Sequence, residues 1–283
     1  MDVLQQILQR IDGWGAAHAG AAIVAADAQG SGIVSANSPQ HGDVDTSFRI
    51  ASIAKLLTAY AVMVAVEEGT VTLDDPAGPP GSTLRHLLAH ASGYGFESDA
   101  IVLAPLATRR IYSNRGIEEA AAHLGAAAAM PFGEYLREAV LDPLSMSSTE
   151  LRGSPAYAIW STVNDLARFV AELFAPQLVA PETCLAMTSV HFYGLPGVLP
   201  GVGRFDALDW GLGFERNFAK PGHWAGTRVS PATFGHFGGA GTFLWLDPVA
   251  GIGCVCLTDR EFGPWAMEVW PALCDDVIAA TTR

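Results

Sequence analysis

The sequence predicts an α+β fold in which helices cover an antiparallel sheet and a helical part lies to one side. Three observations lead to this prediction. Short apolar segments of strand length occur near both ends of the chain, helical spacing dominates its middle, and a helical pattern begins and ends it. Segregated strands and helices pack as layers of one α+β unit. We expect a single domain over residues 1–283, with the sheet part at about 1–51 and 205–283 and the helical part at about 70–204.

The first elements are a helix and two strands. An amphipathic helix is indicated by four apolar residues at helical spacing: Leu4, Ile7, Leu8 and Ile11. Two short strands follow at 21–26 and 32–36, joined by a turn around Gln29 and Gly30. The first 20 residues lack a basic flank followed by an apolar core, so they do not resemble a secretory signal and predict a cytoplasmic location.

The middle of the chain is predicted to be helical. One helix begins at Ser52 and ends at Gly69, and a second covers 115–124. A third is indicated by an apolar stripe: Phe132, Leu136, Val140 and Leu144. The segment from Thr162 to Asp165 has the form of a capping box and begins a fourth helix. Residues 190–204 are rich in glycine and proline, which predicts a loop.

Strands return in the last third of the chain. They are predicted at 210–215, 233–237, 242–246 and 252–257, and a last helix at about 264–280. The four cysteines show neither a metal-binding spacing nor a disulfide framework. Cys254 and Cys256 alternate along a predicted buried strand, so we interpret them as packing residues.

Composition and charge exclude several classes of function. With 50% apolar and 16% charged residues, the 283-residue chain has the composition of a compact globular enzyme. Its net charge of −13 argues against a nucleic-acid partner, which requires a basic face, and against binding to an anionic membrane surface. The longest apolar run, 56–66, is too short to span a membrane.

Ser52 and Lys55 form the most informative pair in the sequence. Two residues three apart at the start of a helix share one face, so the lysine amine comes within reach of the serine hydroxyl. The chain has 14 arginines but only two lysines, Lys55 and Lys220. Because arginine stays protonated, only a lysine with a lowered pKa can remove a proton from the serine. The pair therefore indicates an activated nucleophile, although Ser52 as a plain helix cap is the alternative.

Two further fragments extend this pair into a constellation. Tyr112-Ser113-Asn114 follows Ser52 by 60 residues, and His236-Phe237-Gly238 lies near the C-terminus. In this order the three fragments resemble the S-x-x-K, Y-x-N and K-T-G or H-x-G motifs of the serine β-lactamase and penicillin-binding-protein superfamily. The likeness extends from about Thr46 to Arg260 and is closest to the branch of class C β-lactamases, D-alanyl-D-alanine peptidases and β-lactamase-like carboxylesterases.

This resemblance implies a fold and a set of roles. The family fold is a five-stranded antiparallel sheet flanked by the first and last helices, beside a helical subdomain. Ser52 is expected to be the nucleophile, with its backbone N–H as one oxyanion donor, and Lys55 to help remove its proton. Tyr112 is expected to shuttle a proton to the leaving group, with a pKa lowered by Lys55. Asn114 is expected to hold Lys55 and the substrate amide.

The third motif carries the expectations about the substrate. Gly238 lets the substrate lie against the strand, and Gly239 is expected to supply the second oxyanion N–H. His236 stands where a lysine would place a permanent cation near a substrate carboxylate. A histidine is mostly neutral at pH 7, so we expect it to offer a hydrogen bond and to favour uncharged substrates. Four aromatic residues are candidates for an apolar acyl pocket, with core packing as the alternative: Phe192, Tyr193, Trp210 and Trp224.

No metal or organic cofactor is implied. His86 and His90 have the i, i+4 spacing of a zinc site, but the glutamate of H-E-x-x-H is absent and packing is the better interpretation. The GHFGGAG stretch does not fit either phosphate-loop order. The expected partner is a small ester or amide, and nothing in the sequence indicates a particular oligomeric state.

The sequence therefore predicts a cytoplasmic serine hydrolase that acts through an acyl-enzyme on a small ester or amide, like a carboxylesterase. Two alternatives stay open. The first is a D-amino-acid peptidase or amidase, or a weak β-lactamase. The second, of another class, is a catalytically weak protein of the same fold that binds an acyl ligand or a partner.

Overall fold

A computed structural model describes residues 3–26, 32–33, 39–97, 99–217 and 220–281 and confirms the predicted α+β fold. Its strands within these residues are β1 (Ala19–Ala26), β2 (Gly32–Ile33), β3 (Gln40–Gly42), β4 (Phe48–Arg49), β5 (Arg110–Ile111), β6 (Glu150–Leu151), β7 (Ile159–Ser161), β8 (Gly197–Leu199), β9 (Gly203–Phe205), β10 (Glu215–Arg216), β11 (Phe234–Gly238), β12 (Thr242–Asp247) and β13 (Ile252–Thr258).

Helices occupy both ends of the described chain and much of its middle. They are α1 (Val3–Leu8), α2 (Ala54–Glu67), α3 (Leu84–Leu88), α4 (Asn114–Ala127), α5 (Phe132–Leu136), α6 (Val163–Phe174), α7 (Pro181–Thr188) and α8 (Pro264–Thr281). Short 3₁₀ turns extend α1 over Gln9–Gly13 and precede α2 over Ala51–Ile53, and a π-helical turn over Arg137–Leu141 extends α5.

The main sheet is antiparallel and joins the two ends of the chain. Its order is β10–β11–β12–β13–β1, and β2 and β3 both pair with β1. β1 pairs with β13 from Ala19 opposite Thr258 to Ala25 opposite Ile252. The strands from β10 to β1 match the five implied by the resemblance, and the short β2 and β3 extend the sheet beyond β1. The predicted turn around Gln29 and Gly30, and residues 34–36, lie outside the described residues.

Two hydrophobic clusters pack against opposite faces of the main sheet. Because strand side chains alternate between faces, Ala22 and Val24 point to the cluster that contains α2 and α6, whereas Ala21 and Ile23 point to the cluster beneath α1 and α8. Cys254 lies in the second cluster and is a free, fully buried thiol, as the packing interpretation predicts. α2 is buried almost all round because it lies between the sheet and the helical part.

Two predictions for the last half of the chain are wrong. Residues 190–204 contain β8 and the start of β9, and β8 pairs with β5. Gly197 is required there for close approach, since a Cβ would lie 2.6 Å from the Arg110 carbonyl oxygen. The strand predicted over 210–215 is reduced to β10, because Gly213 has a φ of +86° and turns the chain. The Gly213 N–H donates a hydrogen bond to the Leu88 carbonyl oxygen and not to a neighbouring strand.

The predicted cap of α6 is half confirmed. The Thr162 hydroxyl accepts a hydrogen bond from the Asp165 N–H at 3.1 Å. The Asp165 carboxylate does not complete a capping box, because it accepts hydrogen bonds from the Ser148 N–H and the Thr149 hydroxyl. No helix within the described residues is long and apolar enough to cross a membrane.

Candidate active site

Ser52 lies on the short turn that leads from β4 into α2. Ala51, directly before it, has a φ of +47°, a left-handed conformation that costs a residue with a side chain about 1–2 kcal/mol. The surrounding structure holds this turn in place, since the Ile50 carbonyl accepts a hydrogen bond from the Thr242 hydroxyl of β12. The N–H of Ser52 has no backbone hydrogen-bond acceptor among the described residues.

Lys55 is fully buried one turn into the helix, and its amine faces three oxygen atoms. Nζ lies 3.2 Å from Ser52 Oγ, 2.7 Å from Asn114 Oδ1 and 2.8 Å from the carbonyl oxygen of Ala156. A neutral amine has two N–H donors and one lone pair. Since the amide and carbonyl oxygens can only accept, they take the two donors and leave the lone pair directed at the Ser52 hydroxyl.

The electrostatic setting of Lys55 favours this neutral form. Burial lowers its pKa to about 7, and the negative charge of Glu118 opposes the change. The Nζ atom also lies 4.8 Å from the centre of the Tyr112 ring. A substantial fraction of the amine is therefore unprotonated near neutral pH, as a proton acceptor requires.

Asn114 reaches Lys55 because it begins α4. The preceding Ser113 caps this helix: its hydroxyl oxygen accepts from the Gly116 N–H at 3.0 Å and donates to the Gly95 carbonyl at 2.6 Å. Ser113 is thus a structural residue within the motif. The cap holds the start of α4, from which Asn114 reaches Lys55.

Tyr112 joins the nucleophile to the third motif. Its buried hydroxyl lies 2.7 Å from His236 Nε2, and the Ser52 side chain lies close enough to act on the pKa of Tyr112. We expected Lys55 to lower the pKa of Tyr112, but burial raises it, although the Ser52 side chain acts in the opposite direction. The expectation fails because desolvation of the phenolate outweighs stabilisation by neighbours. Tyr112 is therefore a neutral phenol at ordinary pH.

His236 has both ring nitrogens occupied by protein groups. Nε2 faces the Tyr112 hydroxyl, and Nδ1 lies 3.0 Å from Glu215 Oε2. Burial lowers the pKa of the imidazole, against the opposing charge of Glu215. The expectation that His236 offers a hydrogen bond to the substrate does not fit this geometry, because no ring nitrogen is left free. Its neutrality does agree with the prediction.

The glycines of the third motif differ in their surroundings. A Cβ at Gly238 would lie 2.4 Å from both the Ile50 carbonyl oxygen and the Thr242 hydroxyl oxygen, so β11 can approach the Ser52 turn only with glycine there. Gly239 faces open space, and its N–H has no backbone acceptor among the described residues. The expectation that the N–H groups of Ser52 and Gly239 are the oxyanion donors stays a prediction.

Sequence reasoning missed the residues behind His236. Glu215 is fully buried and is hydrogen-bonded, besides His236, to Lys220 Nζ at 3.2 Å, His223 Nε2 at 3.0 Å and Trp224 Nε1 at 3.1 Å. A signal was present, since the second of only two lysines stands close to a glutamate and a histidine in the sequence. The Ala156 carbonyl could not have been found, because a backbone acceptor leaves no mark in the sequence.

The other candidate residues lie outside the reacting atoms. Trp210 and Trp224 are fully buried core residues, Phe192 is half-buried, and Tyr193 is exposed. α3 ends at Leu88, and His90 has a φ of +54°. His86 and His90 therefore do not share one face of a helix. No group of three or more histidine, cysteine, aspartate or glutamate side chains that could hold a metal occurs in the part of the chain that the structure describes.

Comparison with known proteins identifies the family. A family model described as Beta-lactamase matches residues 4–273. The crystal structure of a beta-lactamase from Mycobacterium bovis is 45% identical, with a TM-score of 0.92 over 98% of this chain and 100% of that chain. Both findings confirm the resemblance that the three motifs indicate.

Two more distant proteins are similar to different extents of this chain. EstCE1, a hydrolase with promiscuous acyltransferase activity, has a TM-score of 0.73 at 17% identity over 98% of this chain and 97% of that chain, which is a likeness of fold alone. The D-alanyl-D-alanine-carboxypeptidase/endopeptidase AmpH of Escherichia coli is 26% identical over 148 residues. That alignment spans 40% of this chain and only 38% of the curated relative.

Proposed function

Because the chain belongs to the beta-lactamase family, we propose that it is a serine hydrolase that cleaves a small, uncharged ester through an acyl-enzyme at Ser52. The observation that carries the proposal is the buried Lys55 amine. Its Nζ lies 3.2 Å from Ser52 Oγ, and the lone pair of the neutral amine points toward that oxygen. A buried lysine with a pKa of about 7 next to a serine hydroxyl is the arrangement that nucleophilic catalysis requires.

The proposed reaction has two halves. Ser52 Oγ attacks the acyl carbon as Lys55 accepts its proton, and the N–H groups of Ser52 and Gly239 stabilise the negative charge on the acyl oxygen. The bond between the acyl carbon and the leaving alcohol breaks as the alcohol takes the proton that Ser52 released, which passes from Lys55 through Tyr112 beside Ser52. Water then attacks the acyl carbon, gives one proton back to Ser52 Oγ and releases the acid.

Two features support an uncharged ester. His236 is neutral, fully buried and bonded on both nitrogens, so it supplies no cation for a substrate carboxylate. Beside the site, the half-exposed Phe96 ring stacks on Tyr112 with ring centres 5.9 Å apart. The same loop exposes further apolar side chains: Ile101, Val102 and Leu103. An exposed apolar ring beside Tyr112 favours an apolar substituent on the substrate.

The test combines labelling and turnover. A fluorophosphonate is expected to label Ser52, as mapped by peptide mass spectrometry, and p-nitrophenyl esters are expected to be cleaved faster than D-amino-acid amides or a chromogenic cephalosporin. Ser52→Ala should abolish both labelling and turnover, while Ser47→Ala, on the exposed approach to the site, should change neither. Labelling that persists in Ser52→Ala would rule out the assignment.

A peptidase or amidase acting on D-amino acids is the second candidate, and the partial similarity to AmpH favours it. Faster turnover of D-amino-acid amides in the same panel would select it, and faster turnover of the cephalosporin would select a β-lactamase. Absence of turnover with every substrate would favour a protein that binds an acyl ligand or a partner. The cytoplasmic location stays a prediction.

A further inference from the structure

Glu215 ends a chain of hydrogen bonds that begins beside the nucleophile. The Tyr112 hydroxyl, next to Ser52, lies 2.7 Å from His236 Nε2, and His236 Nδ1 lies 3.0 Å from Glu215 Oε2. All three residues after Ser52 are buried, so water does not compete for these bonds. The catalytic roles proposed above use Tyr112 but assign nothing to Glu215.

The direction of each bond follows from the chemistry of Glu215. An ionised carboxylate only accepts hydrogen bonds, so His236 Nδ1 must carry a proton and donate it. In a neutral imidazole the other nitrogen, Nε2, then has no proton and accepts from the Tyr112 hydroxyl. The hydroxyl hydrogen of Tyr112 therefore points away from Ser52, and its oxygen presents a lone pair to the Ser52 hydroxyl.

The surroundings of Glu215 keep it ionised. Lys220 supplies a cation at 3.2 Å, and the Trp224 indole N–H donates at 3.1 Å. His223 donates through Nε2, because its Nδ1 accepts from the Ala225 N–H at 3.2 Å. These donors hold the pKa of Glu215 well below its usual value in spite of its burial.

We propose that Glu215 is a positioning residue which, by fixing the His236 tautomer, makes Tyr112 a second acceptor for the Ser52 proton when Lys55 is protonated. This inference rests on the proposed function. In the step, the Ser52 O–H bond breaks as Oγ bonds to the acyl carbon, the proton binds the Tyr112 oxygen, and the Tyr112 proton moves to His236 Nε2. Glu215 stabilises the imidazolium formed. When the leaving alcohol takes a proton from Tyr112, His236 returns one to Tyr112.

The proposal has a consequence for pH dependence. Below a pH of about 7 Lys55 is mostly protonated, so the first route closes and the second, slower route carries the activity that remains. The titratable and charged groups around His236 are Tyr112, Glu215, Lys55, Lys220 and the buried His90, and burial lowers the pKa of His236 below that of a free histidine. The second route therefore stays open below the pH at which Lys55 is protonated.

Glu215→Gln tests this prediction. Glutamine can donate to His236 Nδ1, which favours the opposite tautomer and turns the Tyr112 hydroxyl hydrogen toward Ser52. We expect the loss in kcat/KM for p-nitrophenyl acetate to be at least about tenfold larger at pH 6 than at pH 8.5, the lower part of the range for a lost proton-transfer route. The matched control is Glu172→Gln, a buried glutamate that bonds to Tyr60 away from the site, whose effect should be equal at both pH values. An equal loss at both pH values in Glu215→Gln would overturn the proposal.

A spectroscopic measurement decides the case even where the variant does not fold. In ¹⁵N-histidine NMR of the unmodified protein at pH 7.5, with His236 assigned by comparison with His236→Gln, we expect Nδ1 protonated and Nε2 unprotonated. An Nε2–H tautomer would overturn the inference while Ser52 labelling and ester turnover left the proposed function intact. Loss of labelling and turnover alongside the expected tautomer would instead remove the proposed function and, with it, the catalytic part of the inference.

Discussion

Lys55 Nζ lies 2.7 Å from Asn114 Oδ1, although 59 residues separate the two in the chain. This bond joins α2 to the start of α4 and, together with the Ala156 carbonyl, uses the two N–H groups of a neutral amine. The orientation of Lys55 toward Ser52 is thus set by two acceptors from different parts of the chain. The first two predictions depend on this arrangement.

Lys55→Arg keeps the positive charge but removes the ability to give up a proton near neutral pH. We expect the rate of acylation, measured as the burst of p-nitrophenol in stopped flow, to fall at least about 10²-fold, the lower end for general-base catalysis. Thermal melting provides the control for folding. Near-normal turnover by a folded variant would show that Lys55 is not the acceptor.

Glu118→Gln is expected to move the pH profile. Lys55 acts as a base when neutral, so activity rises as the pH passes upward through its pKa of about 7. Glu118 raises that pKa, and removing its charge lowers it further. The acidic limb of kcat/KM should therefore move to lower pH. Glu119→Gln, whose side chain pairs with Arg115, is the matched control and should leave the limb in place. A shift to higher pH would contradict the prediction.

How far the sequence predicts this site depends on the kind of residue. Ser52, Lys55, Tyr112, Asn114 and the glycines could be found because their spacing and order are recorded in the chain, and the structure brings them together. The direction in which the pKa of Tyr112 shifts could not be predicted. Burial raises this pKa and neighbouring groups can lower it, and only the packed structure shows that the effect of burial is larger.

The fold shows the same division. Apolar runs of strand length and helical periodicity predict the main sheet and α8 closely, because β11 and β12 are buried at every position and α8 buries one face. β8 could not be predicted, because Gly197 serves close approach to the Arg110 carbonyl and its sequence context reads as a turn. Glu215 was missed because it meets His236 only in the folded chain, where β10 pairs with β11.

Gly238→Ala is expected to damage both folding and activity. Its Cβ would lie 2.4 Å from the Ile50 carbonyl oxygen and 3.1 Å from the Ala51 Cβ, so β11 must move away from the nucleophile turn. We expect the free energy of unfolding, measured in urea, to fall by about 1–3 kcal/mol, as for other overpacked sites, with a loss of ester turnover. Gly13→Ala, where a Cβ meets open space, is the control and should change neither. Unchanged activity in Gly238→Ala would mean that β11 does not border the reacting atoms.

Arg110→Met is expected to destabilise the whole protein. Arg110 is almost fully buried, and its guanidinium donates to four backbone carbonyl oxygens, those of Ala89, His191, Phe192 and Leu208. Methionine keeps part of the side-chain volume but leaves these acceptors unpaired, at about 1–3 kcal/mol for each buried group that water cannot reach. We expect urea unfolding to show a loss of at least about 3 kcal/mol in the free energy of unfolding. The adjacent Arg109 is exposed, so Arg109→Met should stay within about 0.5 kcal/mol of the unmodified protein. Equal unfolding midpoints for the two variants would show that the carbonyl contacts of Arg110 do not stabilise the fold.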